Sequence, residues 1–141
     1  MPEFDDILSI LPTLPQIKAV LVGFDFHVSY AKLAVAHHLL ISPDFPCIFV
    51  ATNTDATFPA KHGVFPGTGS IVKALETSVG KAPIVTGKPN QVLMECITRE
   101  SHLDKSRTCM VGDRLNTDIQ FGKDAGLSTL LVLTGILIIV G

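Results

Sequence analysis

Apolar runs and spaced apolar stripes alternate along this chain, and the alternation predicts strands and helices in turn. Ile17-Lys-Ala-Val-Leu-Val-Gly23 is a β-branched, apolar run closed by glycine, which predicts a buried strand. Ser29 offers an N-cap for a helix to about residue 40, with Tyr30, Leu33, Ala34, His37 and Leu40 on one face. Pro43 and Pro46 interrupt before Cys47-Ile-Phe-Val50, the next strand. Strand, helix and strand make a βαβ unit, so the sheet is expected to be parallel. Residues 52–66 read as a long polar loop holding Asn53, Asp55, Phe58, Pro59 and His62, and loops of that length are often functional. Gly67-Thr-Gly-Ser70 leads a helix with Ile71, Ala74, Leu75 and Val79 along one stripe. Pro83-Ile-Val-Thr86 predicts a short strand, and Asn90 caps a helix with Leu93, Cys96 and Ile97 inward, ending near His102. Residues 108–111 and 128–134 complete the strands.

One stretch organises the rest: Thr108-Cys-Met-Val-Gly-Asp-Arg-Leu-Asn-Thr-Asp-Ile-Gln-Phe-Gly122. Gly112 breaks the apolar run, so Asp113 lands just beyond the strand's carboxyl end, where open α/β sheets place their ligand chemistry. Asp118 follows near the start of a predicted helix through Lys123. Two carboxylates there, beside Arg114, point to a hard-cation site, best matched by Mg²⁺ held with several waters. On the acids alone, a helix-capping loop with no ligand fits equally well.

Composition narrows the function classes. The chain has 141 residues, one domain's worth, with 47% hydrophobic content and 17% charge, which describes a globular chain. A net charge of -2 gives no electrostatic case for nucleic acid or an anionic membrane. Cys47, Cys96 and Cys109 are widely spaced, form no Cys-x-x-Cys pair and sit in apolar runs, so buried free thiols in a reducing compartment are expected. The acidic N-terminus does not read as a secretory signal, and a cytoplasmic protein is expected. Residues 127–140 are apolar for longer than a strand requires. A membrane span needs about 20 apolar residues, and this run carries Ser128, Thr129, Thr134 and Gly135, so no membrane crossing is expected. Val79-Gly-Lys-Ala82 lacks the spacing of a phosphate-binding P-loop. Gly67-Thr-Gly69 could cradle an anion at a helix N-terminus, but a tight strand-to-helix turn explains it as well. The five histidines show no metal-ligand spacing.

The order strand, Gly-Asp113-Arg-Leu-Asn-Thr-Asp118-Ile, then Gly122 and Gly126 before another strand resembles the fourth motif of the haloacid dehalogenase-like (HAD) phosphatases. Thr86-Gly-Lys88-Pro-Asn90 resembles their third. More narrowly, residues 19–135 are similar to the phosphoglycolate/pyridoxal phosphatase (4-nitrophenylphosphatase-like) branch. The blocks that match are Val-Gly23-Phe-Asp25, Ser29-Tyr-Ala-Lys-Leu33, Val-Ala51-Thr-Asn, Pro66-Gly-Thr-Gly69-Ser, Gly87-Lys-Pro89 and Met-Val-Gly-Asp113-Arg-Leu.

This resemblance implies an α/β chain, a HAD-like Rossmannoid parallel sheet with a C2-type cap. Its activity would be Mg²⁺-dependent hydrolysis of a small phosphomonoester through an aspartyl-phosphate, with phosphoglycolate, glycerol phosphate and pyridoxal phosphate as candidates. By resemblance Asp113 ligates Mg²⁺, Asp118 supports it directly or through water, and Lys88 bridges the nucleophile and phosphate oxygens. Phe24, Phe58 and Pro59 stand where leaving-group contacts are expected, and ordinary packing explains them as well. The cap of this branch can mediate homodimerisation.

The family's nucleophile motif, an apolar strand followed by Asp-x-Asp, has no match. Asp5-Asp6 lacks the strand, and Asp25-Phe-His27 has histidine where the second acid belongs. Residues 1–16 are therefore read as an unassigned leader, 17–83 as a partial C2-type cap, 84–135 as the second half of the HAD core and 136–141 as an apolar tail. On this reading the family member is truncated, inactive by itself, and the alternative is a non-catalytic fragment acting through its cap.

Overall fold

The first predicted strand forms as Ala19–Val22 (β1), with Val20 and Val22 turned toward a core and Ala19 and Leu21 away from it. The computed structural model describes residues 17–44 and 46–133, together with Asp5, Asp6, Ser9 and Leu11. Most of the leader and the apolar tail 136–141 lie outside the described residues. Two units divide the chain, Met1–Val85 and Thr86–Gly141.

In the first unit, helix α1 (Tyr30–Ile41) starts where the Ser29 hydroxyl accepts the Lys32 N–H at 3.3 Å, and it ends at extended Ser42 ahead of Pro43. It returns the chain to β2 (Ile48–Ala51), which pairs with β1 in parallel, Val22 opposite Ala51. The predicted loop 52–66 is instead mostly a hairpin, β3 (Thr57–Ala60) against β4 (Gly63–Pro66), with Phe58 opposite Phe65 and Pro59 opposite Val64. Proline lacks the N–H that a central strand needs, but an isolated two-stranded ribbon tolerates it. Helix α2 (Thr68–Val79) follows, then β5 (Ile84–Val85), which joins β2 in parallel to give the order β1-β2-β5. Leu39, Leu40, Phe49, Ala51, Val72 and Leu75 form the core between sheet and helices. Val72 rather than Ala74 faces inward, and Tyr30 is exposed.

Gly69 explains the glycine-rich turn. A side chain there would fall 2.9 Å from the Asp55 carbonyl oxygen, and the Gly67 and Gly69 amides already bond the carbonyls of Ala56 and Asp55 at 2.8 Å. The glycines let the 54–56 backbone pass under α2, which accounts for them as a tight turn.

In the second unit, α3 (Val92–Ser101) leads through a short 3₁₀ turn to β6 (Cys109–Gly112). A π-helical turn (Leu115–Ile119) runs into α4 (Gln120–Asp124), and β7 (Ser128–Leu131) pairs with β6 in parallel, Val111 opposite Leu130. The predicted strand 128–134 is shorter, and residue 134 lies outside the described residues. Met94, Phe121 and Ala125 make the core, with Leu103, Met110 and Leu127 against it. Helix α3 buries Met94 and half-buries Ile97, whereas Leu93 and Cys96 are exposed, because the stripe falls one position round the helix from the prediction. Cys109 is also exposed on the outer face of β6, so only Cys47 of the three free thiols is buried.

The fold is α/β, with parallel strands joined by helices. Both parallel sheets leave one face open. Leu21, Ile48 and Ile84 are exposed on the first, and Val111 and Leu130 on the second. Parallel sheets ordinarily have both faces covered. Among the described residues, no helix is long and apolar enough to cross a membrane.

Candidate active site

Lys88, the residue after Gly87, occupies a turn closed by the Asn90 N–H on the Gly87 carbonyl at 3.0 Å. The Asn90 carboxamide oxygen accepts the Val92 N–H at 3.0 Å, but the N-cap of α3 is Gln91, one residue later than the sequence predicts. From this turn the Lys88 ammonium reaches across to Asp118 and donates to Oδ1 at 2.6 Å.

Asp118 is brought there by the π-helical turn after β6. Its side chain is 9% exposed, against 42% for Lys88. The second carboxylate oxygen, Oδ2, accepts the Arg114 N–H at 3.2 Å. Burial alone would raise the Asp118 pKa, but the Lys88 ammonium and the N–H groups of Arg114 and Asp113 outweigh it and hold the carboxyl below its ordinary value. Gly112 makes the approach possible: a side chain there would stand 2.5 Å from Asp118 Cγ and 2.7 Å from Oδ2. The strand therefore ends in glycine because the Asp118 side chain lies directly against it. The sequence signalled a break at Gly112 but not this reason for it.

Asp113 sits half-buried in the loop between β6 and the π-helical turn. Its carboxylate makes no hydrogen bond to another described residue. A single carboxylate is a hard oxygen donor of the kind that a divalent cation keeping several of its waters takes. No cluster of three or more His, Cys, Asp or Glu side chains able to hold a metal occurs among the described residues. Asp118, with a bond on each oxygen, is placed to orient Lys88 and the loop.

The remaining predicted residues belong to the first unit. Phe24 packs edge-on against Phe58, centroids 4.9 Å apart, and against Phe26 at 4.7 Å. Phe65 lies 6.0 Å from Phe58. Such pairs contribute about 0.5–1.5 kcal/mol each beyond the area they bury. They line an apolar cavity of about 620 Å³ between the 24–28 loop, the hairpin and α2. Pro59 is in the same hairpin but outside the cavity wall. Phe26 and Phe65 were not foreseen, although Phe26 follows Phe24 at a spacing of two. At the rim, Asp25 accepts the Lys32 ammonium at 2.6 Å and the His27 N–H at 2.7 Å, and these bonds, the lysine's first, lower its pKa.

Residues 85–137 match a family model described as HAD-hydrolase-like. Over that stretch the chain is similar to the HAD-like hydrolases. It is 49% identical over 127 residues to the glycerol-3-phosphate phosphatase of Gallus gallus, a match that covers 89% of this chain and 40% of that protein. It is also 49% identical over 123 residues to chronophin of Bos taurus, covering 86% of this chain and 41% of that one. A solved glycerol phosphate phosphatase from Mycobacterium tuberculosis, in complex with magnesium, superposes with a TM-score of 0.75 at 38% identity, over 85% of this chain and 35% of that chain. The chain thus spans about two fifths of the length of the curated relatives it matches.

Proposed function

We propose that this chain contributes the lysine and acidic motifs of a Mg²⁺-dependent phosphatase acting on small phosphomonoesters of the phosphoglycolate, glycerol phosphate or pyridoxal phosphate type. The observation that carries the reading is the Lys88 ammonium held 2.6 Å from Asp118 beside the half-buried Asp113, all in the unit that matches the HAD family. Residues 17–83 are read as the partial cap and 84–135 as the second half of the core, whereas the two units divide after Val85, so that β5 lies with the first.

Phosphoryl transfer is chiefly positioning and charge neutralisation. Lys88 supplies a fixed positive charge for phosphoryl oxygens, and Asp118 keeps its ammonium in place through the ion pair. Asp113 would hold Mg²⁺, with Asp118 supporting it through water. When bound, the cation would neutralise phosphate charge and order the substrate. Phe24 and Phe58, with Pro59 nearby, would select the leaving group. No apolar strand followed by Asp-x-Asp occurs in these 141 residues. An aspartyl-phosphate route therefore requires a carboxylate from outside them. The free cysteines are consistent with the cytoplasm.

A second reading, a non-catalytic chain that homodimerises through the first unit, is favoured by the exposed aromatic side chains of Phe24, Phe26 and Phe65 there. Binding of inorganic phosphate with and without Mg²⁺, measured by calorimetry, separates the two. Phosphate binding that needs Mg²⁺ and weakens at least tenfold in Asp113→Asn supports the first reading, while no Mg²⁺-dependent binding in either protein supports the second.

A further inference from the structure

We infer that Gln91 is a positioning residue that sets the Lys88–Asp118 pair by clamping both segments from which it is built. The Gln91 carboxamide nitrogen donates to the Pro89 carbonyl at 3.1 Å and to the Phe121 carbonyl at 3.2 Å. Pro89 is the residue after Lys88, and Phe121 stands three residues beyond Asp118. One NH₂ group therefore ties the lysine turn to the first turn of α4, thirty residues away.

The ion pair on its own would not fix this geometry. Lysine carries a long, flexible stem whose ordering costs entropy, and half-exposed pairs contribute little once solvent competes. Two amide hydrogen bonds to carbonyls on either side of the pair remove much of that freedom, because they hold the backbones from which both side chains project. Gln91 is itself partly buried and starts α3, so its side chain is anchored at its own root. The two N–H donors of the carboxamide let one nitrogen satisfy both carbonyls.

The inference rests on the reading of Lys88 as the phosphate-facing group, but its test does not depend on turnover, so either can fail alone. The rate of acylation of each lysine in the full chain is measured by mass spectrometry at limiting reagent. An amine held on a carboxylate reacts slowly, and loosening the clamp frees it. In Gln91→Leu, Lys88 is expected to acylate about fivefold faster, the factor that corresponds to the net worth of one neutral hydrogen bond. Lys105 and Lys123 in the same unit should keep their rates. Gln91→Glu retains length and removes both donors, and it should reproduce the selective rise even where the leucine variant fails to fold. An unchanged Lys88 rate in the folded variants, or an equal rise at Lys105 and Lys123, would overturn the inference, the latter by showing general loosening of the unit.

Discussion

The side chain of Asp118 lies against the backbone of Gly112, closely enough that the strand can end in no larger residue at that point. This contact decides where the carboxylate stands, and Lys88 then meets it at 2.6 Å.

Gly112→Ala should therefore be costly although it adds a single methyl. The new Cβ would stand 2.5 Å from Asp118 Cγ, and Asp118 is held by its bonds to Lys88 and the Arg114 N–H and cannot move aside freely. Overpacking of this kind costs about 1–3 kcal/mol. Urea denaturation should show the loss, and Lys88 should become more reactive to acylation. An unshifted midpoint would mean that the turn relaxes without strain.

The depressed Asp118 carboxyl makes a prediction about acid. Its folded pKa lies below the unfolded value of about 3.9, so its contribution to stability is full at neutral pH and persists down to about pH 4. It is lost as the pH falls further, through the depressed folded value. Urea midpoints of the wild type and Asp118→Asn should be well separated at pH 7 and should converge well below pH 4. A gap that closes between pH 7 and 5 would assign the effect to another group.

Much of this was legible in the sequence, and the reason is physical. Parallel strands covered by helices read as continuous apolar runs, so β1, β2, β6 and β7 stood out, and a glycine closing a run placed Asp113 beyond a strand end. The hairpin over residues 57–66 did not stand out, since Pro59 and Pro66 argue against strands and its stability depends on phenylalanines that meet only in three dimensions. The π-helical turn around Asp118 was likewise read as ordinary helix, because one extra residue in a turn leaves no mark on a short apolar pattern. The clamp by Gln91 depends on two carbonyls, which have no sequence signature.

The aromatic cluster predicts a solution property. Phe26 is 80% exposed and touches Phe24 edge-on, so Phe26→Asp should leave the fold intact while adding charge to the patch. If the first unit mediates a homodimer, sedimentation should show the wild type as a dimer and the variant as a monomer, with unchanged circular dichroism. Equal masses would exclude Phe26 from such an interface.

The open sheet faces predict dye binding. Leu21, Ile48 and Ile84 on one sheet and Val111 and Leu130 on the other offer apolar surface to an anilinonaphthalene sulfonate probe. Its fluorescence should rise with the folded chain at neutral pH and fall in Leu21→Ser. A silent dye would mean that these faces are covered in solution.

The most direct measurement is a ¹⁵N chemical-shift titration of the chain with Mg²⁺ and inorganic phosphate together. The account predicts shifts concentrated at Gly87, Lys88 and residues 112–118, abolished by Asp113→Asn and reduced by Lys88→Met. Shifts absent from both segments, or unaffected by either substitution, would contradict a magnesium-bound phosphate at this rim.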